Sequence, residues 1–196
     1  ATKYQQIVSE ILLQRTKAET VAKYYDTFFS KFPDWNTLAN ASLEELEEIM
    51  KPLGLYRHRA RRLYKLGEDI RRRGGKIPGN ENELRDSGFI GLYVTNAFEL
   101  FMLKNRKPLL DVNMSRLLKR YFKPGDFIDV RHDKEIQELA NDIIEVRRCK
   151  ELNWAILDYA ALVCKTRNPL CGECVLNKHC KYYGLSQGDV AEEPEQ

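Results

Sequence analysis

The chain has 196 residues, of which 43% are hydrophobic and 31% charged, with a formal net charge of +3 and an isoelectric point near 8.5. This length fits one large domain or two small lobes, and so mild a positive charge does not by itself indicate nucleic-acid binding. The first residues do not resemble a signal peptide, and no apolar stretch approaches membrane-spanning length. We therefore expect an intracellular protein without membrane contact.

Helical periodicity dominates the chain, and no segment has the two-residue alternation of a β-strand. Apolar residues on one face predict a first helix over residues 7–12 and a second over residues 21–29. Ser42 begins a capping box that predicts the start of a helix. This helix runs through Met50, and Gly54 ends the segment. Further helices are predicted over residues 57–73, 82–86, 92–103, 112–121, 133–145 and 151–163. The predicted fold class is all-α.

Cationic residues cluster in three runs, at residues 56–62, 71–73 and 104–107. Most charge runs are solvated helix faces, but several of them on one small protein indicate a phosphate-binding surface. Arg57 and Arg59, at the start of the long basic helix, are the candidate DNA contacts in the first run.

Residues 83–103 predict a helix, a tight glycine-containing turn and a second helix. Backbone N–H groups at the start of such a second helix can bind a phosphate, which makes Gly88, Ile90 and Gly91 candidate DNA contacts. A purely structural joint between two helices would have the same pattern, so both interpretations stay open at this point.

Asp111 lies in an apolar stretch, residues 108–113, at the start of a predicted helix. Most aspartates in this position are helix N-caps. A partly desolvated carboxylate there could also stabilise a developing positive charge or activate a water molecule. Asp111 is therefore a candidate catalytic residue as well as a candidate cap.

Four cysteines with the spacing C-x6-C-x2-C-x5-C stand close to the C-terminus: Cys164, Cys171, Cys174 and Cys180. Four thiolates within 17 residues can surround one metal centre. An iron–sulfur cluster ranks ahead of zinc, because zinc sites usually pair two short-spaced units, and disulfides rank last in an intracellular protein. Cys149 is interpreted as an ordinary half-buried residue.

In this order, a helix–hairpin–helix, an aspartate and the cysteine motif resemble the endonuclease III superfamily of DNA glycosylases, over residues 4–183. The resemblance is strongest to the Mig-type thymine mismatch glycosylases and to the catalytic core of the MutY adenine glycosylases. Residues 9–16 are similar to a first motif shared by both groups, and Asp111-Val112-Asn113 with Arg116 is similar to the aspartate motif of the thymine group.

The resemblance implies roles for five residues. Asp111 matches the essential aspartate, and Tyr93 stands where bifunctional members carry a Schiff-base lysine, which implies a monofunctional enzyme. Glu10 matches a pocket glutamate that assists the departing base. Gln14 matches the residue that enters the base stack, and Arg15 would contact the orphaned partner base.

The resemblance also implies that Cys164, Cys171, Cys174 and Cys180 bind a [4Fe–4S] cluster, which shapes a basic DNA-binding loop containing Lys165 and Arg167. One departure concerns the hairpin, where Phe89 stands in place of the first of two paired glycines. This puts the usual phosphate and monovalent-cation contact of the hairpin in doubt.

The resulting expectation is a two-lobed helical fold of the endonuclease III type, with the DNA cleft between the lobes. Residues 1–105 would form the lobe with the helix–hairpin–helix (82–103), residues 106–183 the lobe with Asp111 and the cluster, and residues 184–196 a disordered tail.

The expected function is removal of thymine or uracil opposite guanine from double-stranded DNA by base flipping and hydrolysis. The alternatives are an adenine glycosylase acting opposite guanine or 8-oxoguanine, a non-catalytic DNA-binding module and a zinc-stabilised DNA-binding protein. We expect a monomer that binds mismatched or damaged DNA, located in the cytoplasm with the nucleoid if the source is prokaryotic.

Overall fold

The computed structural model describes residues 1–13, 16–86, 91–125 and 129–187. These residues are predominantly helical and contain no β-strand, which confirms the all-α prediction for the described part of the chain. They divide into an N-terminal unit, Ala1–Asn105, and a C-terminal unit, Arg106–Gln196. None of the described helices is long and apolar enough to cross a membrane.

Seven α-helices of the N-terminal unit are described, followed by a π-helical segment. They are α1 (Lys3–Leu13), α2 (Ala18–Lys31), α3 (Trp35–Ala39), α4 (Leu43–Met50), α5 (Tyr56–Arg72), α6 (Glu81–Asp86) and α7 (Leu92–Phe98), and the π-helix is Glu99–Leu103. A short 3₁₀ turn, Lys51–Leu53, connects α4 to α5. Helices α6 and α7 flank the predicted hairpin turn.

The core of the N-terminal unit is formed by the apolar faces that the sequence predicts. Ile7, Val8, Ile11 and Leu12 are all buried on α1, and Phe28 and Phe29 are buried on α2. The Ser42 capping box is present, with the side-chain and backbone hydrogen bonds made in both directions. The long helix α5 ends at Arg72, one residue before the predicted end, and two glycines with positive φ, Gly74 and Gly75, follow it.

Helix α5 packs closely against α3, a short helix that the sequence analysis does not predict. A Cβ atom on Gly67 would lie 3.0 Å from the Ala39 Cα and 3.0 Å from the Leu38 carbonyl oxygen. The absence of a side chain on Gly67 therefore allows the two helix backbones to approach. This contact fixes one face of α5 in the core and leaves its cationic face outside.

Three longer helices and one short helix form the described part of the C-terminal unit. They are α8 (Val112–Phe122), α9 (Lys134–Ile144), α10 (Cys149–Leu162) and α11 (Lys181–Gln187). Two 3₁₀ turns, Cys171–Glu173 and Asn177–His179, lie between α10 and α11. A small apolar core joins α8, α9 and α10, with Met114, Ile136 and Ala160 among its buried members.

One expectation about local structure is wrong, and another is confirmed with a change of helix geometry. Residues 184–187, expected to belong to a disordered tail, form the last turn of α11, where the Gly184 amide donates to the Cys180 carbonyl. The helix predicted over residues 92–103 changes from α to π geometry at Glu99. The buried Glu99 carboxylate accepts a hydrogen bond from the Asn105 side chain, 3.2 Å away, within this irregular segment.

Candidate functional site

The N-terminal unit brings together Glu10 and Tyr93, two of the three predicted catalytic residues. The Tyr93 hydroxyl donates a hydrogen bond of 2.5 Å to Oε2 of Glu10. Glu10 lies on α1, whose apolar face anchors it in the core, and it is only 8% exposed. Tyr93 lies in the first turn of α7, which packs against α1. The contact fixes a carboxyl group and a phenol as one polar pair.

Asp111, the third predicted catalytic residue, is the N-cap of α8 in the C-terminal unit. Its Oδ1 accepts hydrogen bonds of 2.8 Å from the backbone amides of Asn113 and Met114. Its Oδ2 accepts a 2.7 Å bond from the Asn113 side chain, and the carboxylate remains half-exposed. The capping role and an accessible carboxylate thus coexist at Asp111.

The segment before Asp111 is held by buried anchors. Leu109 and Leu110 are fully buried, and the Leu109 amide donates a 2.6 Å hydrogen bond to Oδ1 of Asn153. The Asn153 side chain is itself fully buried on α10, and it donates to the Lys107 carbonyl at 3.2 Å. Sequence analysis does not identify Asn153, because a buried asparagine within a helix has no local sequence signal.

A chain of hydrogen bonds links Asp111 to the start of the segment that carries the four cysteines, residues 161–187, called the cysteine segment below. Asn113 donates to Asp111, and Oδ1 of Asn113 accepts a 3.0 Å bond from Nη1 of Arg116. The other guanidinium nitrogens of Arg116 donate to the carbonyls of Cys164 and Ala160, each at 2.8 Å. Burial lowers the pKa of Arg116, while its hydrogen bonds hold the side chain across α8 and the end of α10.

The four predicted metal-binding cysteines line one cavity of about 30 Å³. The remaining lining residues come from α8, from the cysteine segment and from α11: Arg120, Val163, Pro169, Leu170, Asn177, Tyr182 and Tyr183. All the cysteines are free thiols, so the disulfide alternative finds no support. Cys149 is half-buried at the start of α10 and does not line this cavity, as predicted.

Hydrogen-bond donors point at two of these sulfur atoms. Nη1 of Arg120 lies 3.5 Å from Sγ of Cys164, and the Tyr159 hydroxyl lies 3.3 Å from Sγ of Cys174. Burial, and after it the three neighbouring thiols, raises the pKa of Cys171. Donors aimed at sulfur suit thiolates that carry negative charge on a metal centre.

The geometry of the thiols bears on which metal centre they suit. Among the described residues, no three His, Cys, Asp or Glu side chains lie close enough to hold a single metal ion. Four thiolates on one zinc ion would each lie about 2.3 Å from it, whereas those on a four-iron cluster each bind a separate iron. The four thiols share the lining of one cavity, and their all-sulfur donor set is compatible with either kind of centre.

The predicted DNA contacts have different environments. Arg57 is exposed and lies against the Tyr56 ring, 5.6 Å from its centroid. Arg59 does not face solvent, contrary to our expectation: it is 4% exposed, and its Nη1 donates to the carbonyls of Leu53 and Gly54 at 2.8 and 2.6 Å. Its guanidinium is engaged inside the protein, so we do not assign it to the DNA surface.

The other predicted contacts divide by whether the structure describes them. Gly91 is the exposed N-cap of α7, and Lys165 and Arg167 are both exposed in the cysteine segment. The remaining ones lie outside the described residues, as does the unusual hairpin residue: Gln14, Arg15, Gly88, Ile90 and Phe89.

Leu55 is a candidate DNA-contacting residue that sequence analysis does not identify. It is 54% exposed, directly follows Gly54 and precedes the cationic helix α5. Its φ of 46° and ψ of 25° lie in the left-handed region, which costs a non-glycine residue about 1–2 kcal/mol. Exposure and a left-handed conformation together make Leu55 a candidate contact residue. The signal available in the sequence is that Leu55 does not belong to the apolar face of any predicted helix.

Comparisons with known proteins agree with these features. Residues 8–153 match the family model described as "HhH-GPD superfamily base excision DNA repair protein". The chain is 34% identical to a thymine-DNA glycosylase of Aeropyrum pernix, and the match covers 90% of this chain and 81% of that protein. It is 31% identical to a thymine/uracil-DNA glycosylase of Methanothermobacter thermautotrophicus, and that match covers 90% of this chain and 80% of that protein. A solved thermostable thymine-DNA glycosylase superimposes with a TM-score of 0.82 at 30% identity, over 93% of this chain and 85% of that one. The chain belongs to the HhH-GPD superfamily of base excision DNA repair proteins.

Proposed function

We propose that this protein is a monofunctional DNA glycosylase that removes thymine or uracil opposite guanine from double-stranded DNA. The observation that carries the proposal is the hydrogen bond between Tyr93 and Glu10, which places a phenol and a carboxyl group together on two core helices. Its substrate assignment draws on the similarity to thymine and thymine/uracil glycosylases across about nine-tenths of the chain.

Tyr93 determines the expected reaction type. A phenol cannot form the Schiff base through which a lysine would attack the sugar, so water is the nucleophile. The tyrosine instead orients Glu10 by donating to its Oε2. Glu10 then supplies a proton or a hydrogen bond to the departing base.

Asp111 acts on the sugar. The bond from C1′ to the base nitrogen breaks, the electron pair leaves with the base, and C1′ develops positive charge. The Asp111 carboxylate stabilises this charge and accepts a proton from the water that adds to C1′. Three donated hydrogen bonds hold the carboxylate in one orientation, so little reorganisation is needed during the reaction.

We further propose that Cys164, Cys171, Cys174 and Cys180 hold a [4Fe–4S] cluster. The all-sulfur donor set, the shared cavity and the donors on Cys164 and Cys174 support this assignment. When bound, the cluster would tie together a segment that displays Lys165 and Arg167, the two exposed cations assigned to phosphate contact.

DNA binding would use Leu55 as well as cations. An exposed leucine at a turn can enter the base stack and fill the space that a flipped nucleotide leaves, a use of apolar wedges known for DNA-bending proteins. Arg57 follows two residues later and would contact the adjacent phosphate. We propose that the protein binds mismatched duplex DNA as a monomer, and in the nucleoid-containing cytoplasm if its source is prokaryotic.

Single-turnover base release on a panel of duplexes tests this proposal. The panel contains T·G, U·G, A·G and A·8-oxoguanine pairs with matched controls, each analysed with and without hot alkali. We expect strand breaks at T·G and U·G only after alkali, because hydrolysis leaves an intact abasic strand.

Each of the other outcomes contradicts a named part of the proposal. Breaks confined to the adenine duplexes would move the protein to the adenine glycosylases. Breaks without alkali would contradict the role assigned to Tyr93. An Asp111→Asn variant that matched the wild type would remove the sugar chemistry from Asp111. Tight DNA binding with no cleavage of any duplex would favour a non-catalytic binding module.

A further inference from the structure

Arg59 joins two turns of the N-terminal unit that are far apart in sequence. Its Nη1 donates to the carbonyls of Leu53 and Gly54, and its Nη2 donates to the Thr16 hydroxyl. The Thr16 hydroxyl also lies 3.4 Å from the Leu53 carbonyl, which closes the network. One buried guanidinium therefore bridges Thr16 and the turn before α5.

Each of these turns lies next to a residue with a proposed function. The Thr16 amide donates to the Leu13 carbonyl at the end of α1, the helix that carries Glu10. The second turn ends at Leu55, whose left-handed conformation follows another positive φ at Gly54. One path of contacts from the end of α1 to Leu55 thus passes through Arg59.

The network requires an arginine in particular. A planar guanidinium presents several N–H donors in fixed directions, so it can hold two carbonyls and a hydroxyl at once. A lysine ammonium carries the same charge on a flexible stem and does not reproduce this fork. A surface cation for DNA would not need such burial: Arg59 is 4% exposed, whereas Arg57 on the same helix faces solvent.

We propose that Arg59 is a positioning residue that holds the Leu55 wedge at a fixed place relative to the end of α1. Leu55 then enters the base stack in step with capture of the flipped base by Glu10 and Tyr93. This inference rests on the proposed glycosylase function, and it assigns Arg59 no contact with DNA or with the reacting atoms.

A double-mutant cycle tests the inference through Leu55. Arg59→Lys, Leu55→Ala and the double variant are compared in single-turnover base release, and in fluorescence of 2-aminopurine placed beside the mismatch, which reports unstacking. We expect Arg59→Lys to lower the rate and the fluorescence change about 10-fold, because a small misplacement of a positioned group is costly. In the Leu55→Ala background the same substitution should add less than about 2-fold.

Hydrogen exchange of the free protein provides a second readout that needs no DNA. Arg59→Lys should speed exchange of the amides at residues 54–56 while the core of α5 keeps its protection. Thr16→Val, which removes one acceptor and keeps the shape of the side chain, should produce a smaller change of the same kind. It provides the test if Arg59→Lys fails to fold.

Equal losses from Arg59→Lys with and without Leu55 would overturn the positioning role, as would unchanged exchange at residues 54–56 in both variants. A wild-type protein that neither unstacks nor releases a base on any duplex would instead overturn the proposed glycosylase function, and the positioning role with it. The exchange result in free protein distinguishes these failures, because it shows whether Arg59 holds the turn at all.

Discussion

The N-terminal unit and the cysteine segment of the C-terminal unit position their candidate residues by different physical means. In the N-terminal unit, Glu10 and Tyr93 project from helices whose apolar faces form a continuous buried core. In the C-terminal unit, residues 161–187 contain no buried residue, although they line the cysteine cavity. Polar contacts from α8 and α10 hold this segment instead, chiefly through Arg116, Arg120 and Tyr159.

Hydrophobic burial contributes about 25 cal/mol per Å² of apolar surface, whereas a partly exposed hydrogen bond contributes about 1 kcal/mol net. A segment of this size without a buried core residue therefore needs a further source of stability. A metal centre can supply it, because binding energy becomes folding energy when the site forms only in the folded state. If the proposed cluster is present, its loss should unfold the cysteine segment and leave the N-terminal unit folded.

The largest effect is expected from Cys174→Ser, which removes one thiolate and its contact with Tyr159. Residues 164–187 should lose hydrogen-exchange protection, and base release should fall by at least about 100-fold, as outer-shell losses alone cost 10–100-fold. Protection of α1, α2 and α5 should remain. Visible absorbance from sulfur-to-iron charge transfer tests for the proposed cluster in the same samples.

Cys149→Ser is the matched control, since Cys149 is a half-buried free thiol that does not line the cavity. It should retain absorbance, protection and activity. Residues 164–187 of Cys174→Ser could instead stay fully protected in protein without visible absorbance. This result would show that polar contacts alone hold the segment, and it would contradict the expected dependence on a metal centre.

A smaller effect is expected from Asn113→Ala, which interrupts the chain from Asp111 to Arg116. The Asp111 carboxylate loses its only described side-chain donor but keeps two backbone donors, so its orientation should loosen without loss of the helix cap. We expect the single-turnover rate to fall about 10-fold with duplex affinity unchanged, as for a group that acts in the transition state.

Asn141→Ala is a matched control on α9, where the amide donates only to the Gln137 carbonyl in the described contacts. It should leave the rate unchanged. A parallel loss of affinity and rate in Asn113→Ala would mean that Asn113 supports DNA binding rather than the orientation of Asp111.

Sequence patterns predict the features that depend on local spacing. The apolar faces of α1 and α2, the Ser42 capping box and the cap at Asp111 follow from residue spacing and capping chemistry, and the structure confirms them. The short helix α3 and the π geometry from Glu99 onward are absent from the prediction. Helix α3 has only five residues, too few to show an apolar periodicity.

Arg59 and Leu55 show why part of the site could not be predicted. A cation within a basic run gives no sign that its guanidinium is buried on backbone carbonyls, and the run as a whole suggests a solvated face. A leucine beside a glycine likewise gives no sign of exposure in a left-handed turn. The burial of Arg59 involves a contact with Thr16, 43 residues away in the chain, which no local pattern predicts.

The smallest effect concerns the helical core of the C-terminal unit, which should be stable independently of the cysteine segment. Asp133 caps α9, is 8% exposed and forms a 2.6 Å ion pair with Lys119. The hydrogen bond from Lys119 lowers the pKa of Asp133. Asp133→Asn should reduce the free energy of unfolding at neutral pH by about 2 kcal/mol through the lost ion pair, because asparagine keeps the cap.

The pH dependence of this loss follows from the sign of the pKa shift. A carboxyl whose pKa is lowered on folding contributes stability above the unfolded-state value, near about 3.9, and loses it as the pH falls through the folded-state pKa. The difference between wild type and Asp133→Asn in thermal unfolding should therefore be constant at neutral pH and shrink below about pH 4. Asp129→Asn, which removes an exposed pair with Arg131, should change the melting temperature little. Equal effects from the two substitutions would mean that burial of the Lys119 pair does not stabilise this core.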